Sequence, residues 1–311
     1  MGKIAFVFPG QGSQSVGMGY DIYNESDVAK NIYDRFNKIL GRNLTKVCFE
    51  GPDEELKLTV NTQPAILATS IALLEVVKAQ TKIKPDYVCG HSLGEYAALY
   101  QAGVLSLDDT ISAIAKRAEL MGKSKGGAMA AVLGLAQDKV QVAVKEASEA
   151  AYVDVANYNT PEQIVITGSV EGVQKATELL SAAGAKRVIP LAVSGAFHSE
   201  MMKEAAMSFA EFVSELSIND AKIPVITNVD AQETISKADF AKKMPEQIYS
   251  SVYWTQSVQE LQKNGVETIL EIGPGKVLAG LIKKIAPEIK VVNIYDSKSL
   301  NAFCESLQEV I

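Results

Sequence analysis

Gly90-His91-Ser92-Leu93-Gly94 has the residue types and spacing for covalent chemistry. The pattern G-x-S-x-G describes a serine on a sharp strand-to-helix turn, held in a strained backbone conformation with its Oγ exposed. Glycines flank it because the strand and helix backbones pass too closely for a Cβ. The N–H groups that follow lie at a helix N-terminus, where the dipole favours developing negative charge. The competing reading is an ordinary Gly-rich turn with Ser92 as a helix cap. The apolar run Tyr87-Val88-Cys89 before it and the helical run Tyr96-Ala97-Ala98-Leu99 after it favour the nucleophile.

A serine hydroxyl is barely acidic near neutral pH and needs a base. The chain has 2 histidines. His91 is adjacent to Ser92 on the same tight turn, so its ring is expected to project away from the Ser92 Oγ. That leaves His198, in Gly195-Ala196-Phe197-His198-Ser199, as the expected base. No acid for orienting it is evident from spacing, and a backbone carbonyl accepting the Nδ1 proton would fix the same tautomer. Arg117 lies on an expected helix with Ala113, Ile114, Leu120 and Met121 three and four positions away, all apolar. Its guanidinium either reaches solvent over that apolar face or is buried and ready for a carboxylate, which it can bind in a bidentate fork. Lys116, with Ser112 and Glu119 nearby, reads as a solvated face.

These residues need a scaffold. Ile4–Phe8 is a continuous apolar run, the mark of a strand buried on both faces, and it ends in Pro9-Gly10-Gln11-Gly12-Ser13-Gln14. In a parallel sheet this loop would lie beside the elbow, and its glycines would expose N–H groups for an oxyanion hole. Helical patterns over 26–40 and 62–78, the strand at 87–89 and the helix after it indicate α/β layering with a mainly parallel sheet. The rhythm changes after Gly126-Gly127. Strand 129–133, helix 138–150, strand 153–157, strand 163–167, helix 171–183 and strand 187–191 form a split β-α-β unit in ferredoxin-like order. Gly126-Gly127 and Gly195 are its expected hinges. Strands at 224–227, 268–272 and 291–294 and helices at 276–285 and 300–310 complete the chain, with Gly273-Pro274-Gly275 as a structural turn. The expected division is therefore 1–127 with 197–311 as the large unit and 128–196 as an insertion.

Composition excludes several classes. With Lys+Arg 30 against Asp+Glu 37, the formal net charge is -7, the reverse of the basic excess expected of a nucleic-acid binder. The longest apolar stretch, from Pro64 to Val77, is too short and too interrupted for a membrane span. The N-terminus runs straight into a strand pattern without a signal-peptide core, so a cytoplasmic location is expected. The 3 cysteines, Cys48, Cys89 and Cys304, are far apart and odd in number, which fits a reducing compartment. No metal-ligand spacing is present, and no phosphate-binding loop of the G-x-x-x-x-G-K type.

Several separate motifs now stand in one order: Phe8 to Gln14, Thr62-Gln63-Pro64-Ala65, Gly90 to Glu95, Lys116-Arg117, Gly195 to Ser199 and Glu271-Ile272-Gly273-Pro274-Gly275. In these the chain resembles, over essentially its full length, the bacterial malonyl-CoA:acyl carrier protein transacylases of type II fatty acid biosynthesis. The resemblance implies a hydrolase-like α/β sheet with helices on both faces and an inserted ferredoxin-like subdomain. It implies a cytoplasmic, monomeric acyltransferase that needs no cofactor or metal and takes malonyl-CoA and holo acyl carrier protein as partners. It assigns Ser92 as nucleophile, His198 as base, the N–H groups of Gln11 and Leu93 as oxyanion hole, and Arg117 as the grip on the malonyl carboxylate. The group orienting His198 would be the main-chain carbonyl of Gln247. Gln63, Met121, Asn157 and Asn159 would contact the cleft. Gly-Ala-Phe-His before the base matches the malonyl-preferring form of that motif.

Two other readings use the same residues. A serine esterase or thioesterase would release free acid from the same elbow. A non-catalytic module binding an acylated carrier would keep Arg117 and need neither Ser92 nor His198. Since acyl carrier proteins are acidic, docking on this acidic chain calls for a local basic patch, for which Lys186, Arg187, Lys276, Lys283 and Lys284 qualify by type.

Overall fold

A computed structural model describes residues 2–193 and 195–308. The strands are β1 (Lys3–Phe8), β2 (Tyr87–Gly90), β3 (Gly127–Leu133), β4 (Val153–Thr160), β5 (Gln163–Ser169), β6 (Arg187–Pro190), β7 (Val225–Ile226), β8 (Glu233–Thr234), β9 (Val266–Ile272) and β10 (Lys290–Ile294). They form two sheets. The larger has the order β10-β9-β1-β2-β7-β8 and is parallel except for β8. The smaller, β4-β5-β3-β6, is antiparallel throughout and has the ferredoxin-like order.

β1 shows why the larger sheet lies inside the molecule. Phe6 and Phe8 enter the apolar cluster on one face, and Ala5 and Val7 enter a second cluster on the other. Full burial of each phenylalanine contributes about 1.5–3 kcal/mol. Thr59–Gln80, the one helix among the described residues long and apolar enough to cross a membrane, is instead 89% buried inside the protein over its most apolar stretch. It packs against helix Leu107–Gly122, which carries Arg117. That second helix starts where the Ser106 hydroxyl accepts the Asp109 N–H at 3.1 Å, an N-cap satisfying a donor that the helix itself cannot.

The smaller sheet buries Val132, Val155 and Ile166 against its two helices, Gln137–Ser148 and Val170–Ala182. Met129, Ala156 and Val165 on its other face join the main core. β4 is tied to the segment before helix Trp254–Lys263: the Tyr158 N–H donates to the Val252 carbonyl at 3.0 Å and the Val252 N–H to the Ala156 carbonyl at 2.8 Å. Gly127, expected as a hinge, is a close-packing position, because a Cβ there would sit 2.3 Å from the Ala196 nitrogen.

The sequence reading leaves out three helices, Lys203–Val213, Lys237–Tyr249 and Trp254–Lys263, and the two-residue edge strand β8. The expected helix 300–310 is Ser297–Gln308, and positions 309 and 310 lie outside the described residues.

Candidate active site

β2 ends at Gly90, and the chain turns through one 3₁₀ turn, Ser92–Gly94, into helix Glu95–Gln101. The crossing is tight. A Cβ on Gly90 would lie 2.0 Å from the Gly94 carbonyl carbon, and one on Gly94 would lie 2.2 Å from the Phe8 oxygen. Ser92 is held at φ 52°, in the left-handed region. A non-glycine residue there carries roughly 1–3 kcal/mol of strain, tolerated only where its surroundings fix it.

The Ser92 Oγ lies 2.8 Å from the His198 Nε2. The His198 Nδ1 faces two carbonyl oxygens, Gln247 at 2.8 Å and Ser250 at 3.2 Å. Both can only accept, so Nδ1 carries the proton and Nε2 presents its lone pair to the Ser92 hydroxyl. The His198 backbone N–H donates to the Ile248 carbonyl at 3.1 Å. Helix Lys237–Tyr249 thus ends on the histidine and gives it carbonyls with no partner inside the helix. Burial, then the nearby Arg117 charge, pushes the His198 imidazole down to about 3, so the ring is neutral at physiological pH.

Arg117 is fully buried. Its guanidinium donates to the Gln63 Oε1 at 2.8 Å, the Ser92 Oγ at 3.0 Å and the Gln247 Oε1 at 3.1 Å, all neutral acceptors. The guanidinium carbon lies 5.7 Å from the centre of the Tyr96 ring. The carboxylate of Glu95 contributes to its field, but that group accepts the Asn228 N–H at 2.6 Å.

A cleft of about 110 Å³ opens over Ser92, lined by Gln11, Gln63, Leu93, Met121 and Asn157 among others. Neither the Gln11 nor the Leu93 N–H makes a turn or loop hydrogen bond among the described residues. Asn159 is not part of the lining: its Oδ1 lies 2.8 Å from the His91 Nε2, one layer behind. The His91 ring also lines the cleft, with its centroid 5.6 Å from that of Trp254, and the imidazole that meets the Ser92 Oγ is that of His198. The smaller sheet and the segment that follows β6 supply Met129, Leu191 and Val193 to the cleft wall, apolar groups absent from the sequence reading. Of the five basic residues suggested for docking, all exposed, none lines the cleft, and Lys276 lies over the Tyr295 ring at 4.4 Å.

The acyl transferase domain family matches residues 5–297 of this chain. The malonyl CoA-acyl carrier protein transacylase of Bacillus subtilis (strain 168) is 47% identical over 99% of this chain and 98% of its own length. The chain belongs to the malonyl-CoA:acyl carrier protein transacylase family. Solved structures agree. An acyl carrier protein S-malonyltransferase from Vibrio cholerae superposes with a TM-score of 0.94 at 39% identity, over 97% of this chain and 99% of that one. A malonyl-transacylase in complex with its type II polyketide synthase acyl carrier protein gives a TM-score of 0.95 at 37% identity, over 98% and 99%. As a member of this family the chain is an acyltransferase with an α/β fold.

Within this transacylase fold, sequence reasoning misses Asn228, Ser250 and the side-chain role of Gln247. The Gln247 Nε2 donates to the Ser92 carbonyl at 3.1 Å. The buried Asn228 amide contacts the elbow backbone on both sides of His91. The one signal for Asn228 was its place directly after an apolar strand run, where loops gather at the carboxyl edge of a parallel sheet.

Proposed function

We propose that this enzyme transfers the malonyl group of malonyl-CoA to the phosphopantetheine thiol of acyl carrier protein, in two steps, through an ester on Ser92. His198 takes the Ser92 proton as Oγ attacks the thioester carbonyl. The N–H groups of Gln11 and Leu93 receive the oxyanion, a role in which losing one donor typically costs about 10²–10³ in rate. His198 returns the proton to the departing CoA thiolate. The thiol of the carrier then enters, gives its proton to His198 and attacks the ester carbonyl, and Ser92 is regenerated.

The observation that carries this reading is the Arg117 guanidinium, buried on neutral partners and 3.0 Å from the nucleophilic oxygen. A carboxylate two bonds beyond the carbonyl carbon of an acyl group on Oγ falls within its reach, and a buried cation without an ion-pair partner favours such a ligand. Gln63 and Met121 flank that position, and Asn157 closes the cleft from β4. The same reading makes the enzyme a monomeric cytoplasmic protein in which Ser92, His198 and Arg117 carry the reaction without a cofactor. The division at 127 and 197 belongs to the same reading: residues 128–196 form a cap over a catalytic unit made of 1–127 and 197–311.

The test is incubation with malonyl-CoA or acetyl-CoA without carrier, followed by intact mass and peptide mapping. A malonyl adduct on Ser92, discharged on adding holo acyl carrier protein, is expected. Free malonate without an adduct would move the assignment to a thioesterase, and neither adduct nor turnover would leave a binding module.

A further inference from the structure

We infer that Asn228 is a positioning residue for the nucleophile, holding the elbow backbone in the conformation that aims the Ser92 Oγ at His198. This rests on the assignment of Ser92 above. The Asn228 Nδ2 donates to the Gly90 carbonyl at 2.7 Å, and its Oδ1 accepts the Ser92 N–H at 2.8 Å. One planar amide therefore spans the residues on either side of His91, closing a ring across the turn. The asparagine is itself fixed at both main-chain groups: its N–H donates to the Glu95 Oε2 at 2.6 Å, and its carbonyl accepts the Tyr253 N–H at 3.0 Å. It is fully buried.

Two consequences follow for the reaction. Ser92 sits at φ 52°, a conformation that relaxes unless its surroundings hold it, and the Asn228 bridge is a restraint from outside the turn. The Ser92 N–H is also engaged by Asn228. It therefore cannot serve the oxyanion, which leaves the Leu93 N–H as the elbow's donor and fixes which way that donor faces.

The test uses a fluorophosphonate ester, whose phosphorus Ser92 attacks through Oγ, expelling fluoride while the proton passes to His198. This reports nucleophile reactivity without a malonyl group. Labelling rate constants of wild type, Asn228→Ala and Asn228→Asp are compared from pH 8 to pH 5.5, with circular dichroism to confirm folding. Asn228→Ala is expected to label at least about tenfold more slowly at every pH, with KM for malonyl-CoA changed by less than about twofold and kcat carrying the loss.

Asn228→Asp separates positioning from bulk structure. Ionised, it sets a carboxylate against the Gly90 carbonyl. Protonated, its O–H donates to Gly90 and its C=O accepts from Ser92, as the amide does. The charged and titratable groups around this position are Glu95 on its N–H, His91 between the two bridged residues, Lys243 and Asp230 on the neighbouring Thr227, and Arg117 and His198 across Ser92. Its rate relative to wild type is therefore expected to rise severalfold as the pH falls, while the Asn228→Ala ratio stays flat. Asn228→Ala labelling within twofold of wild type would overturn the inference. So would an Asn228→Asp ratio that does not respond to pH, or loss of fold in both variants. Failure of wild type to label at Ser92 would instead overturn the nucleophile assignment itself.

Discussion

Replacing Arg117 by methionine tests the basis of acyl selection. Methionine keeps an apolar stem among Ala113, Ile114 and Ala118, all buried on the same helix, so the substitution removes charge and hydrogen bonds while leaving little cavity. A carboxylate on the guanidinium gains two charge-assisted bonds of roughly 1.5–3 kcal/mol each. Against this, the free enzyme already holds the guanidinium on Gln63, Ser92 and Gln247. Giving up about two of these, in which the donor alone is charged, costs about 1.5 kcal/mol apiece, the low end of that range. With the carboxylate bonds at the middle of their range, the net preference for a carboxylated acyl group is then about 1.5 kcal/mol, roughly tenfold at 1.4 kcal/mol per decade. Acetyl-CoA presents no carboxylate and should acylate the variant within about threefold of its wild-type rate. The assay is rapid-quench mass spectrometry of the Ser92 adduct with each thioester, read as the malonyl-to-acetyl ratio of acylation rates. Losses in equal proportion for both substrates would refute the argument, since they would mean that Arg117 supports Ser92 and not the acyl group.

Three further outcomes are expected. The base must be neutral, and burial with the Arg117 charge pushes His198 down to about 3, so the acid limb of Ser92 acylation should lie well below the ordinary histidine range. In Arg117→Met, stopped-flow profiles should show that limb moving up toward 6.5, and an unmoved limb would contradict the assigned cause. Folding follows the same sign: between 3 and 6.5 the unfolded chain binds a proton that folded His198 refuses, so this group lowers stability as pH falls through that window. Gly94→Ala would place a Cβ 2.2 Å from the Phe8 carbonyl oxygen; soluble protein with wild-type labelling of Ser92 would show that the crossing can open. Glu271→Ala orphans the Leu278 and Ala279 N–H groups and the Asn293 amide, and at about 1–3 kcal/mol per unpaired buried donor calorimetry should show Tm falling by several degrees with acylation retained.

The elbow was legible because a backbone crossing leaves a mark in sequence: no residue but glycine fits at 90 or 94, and the serine proposed as nucleophile lies between them. His198 was legible by scarcity, there being one other histidine and that one on the wrong side of the turn. The buried state of Arg117 could be read as one of two options, since apolar neighbours at helical spacing suit a stem whether its head is buried or solvated. Asn228 left no comparable mark. Its partners are backbone groups 138 and 136 positions away in sequence, and main-chain atoms are the same under any side chain. The helices at 203–213, 237–249 and 254–263 went unread for a related reason. They are amphipathic and short, and the second contains Pro245 one turn before its end, a residue that usually marks a boundary. That helix nevertheless delivers the carbonyls on which His198 depends.

Those carbonyls bear on which nucleophile can finish the reaction. A carboxylate behind a catalytic histidine offers a full negative charge to the imidazolium that forms during proton transfer. The end of a helix offers about half a unit. An attacking water must surrender most of its proton to the ring before it is a competent nucleophile, given a pKa of about 15.7. A thiol, near 8.5, is ready with far less help. A base with only a fractional countercharge behind it therefore lags most for the more demanding partner. In the proposed mechanism, the same helix end that orients His198 thus tilts the stored ester toward sulfur and away from hydrolysis, a form of selectivity set by electrostatics and not by the shape of the cleft.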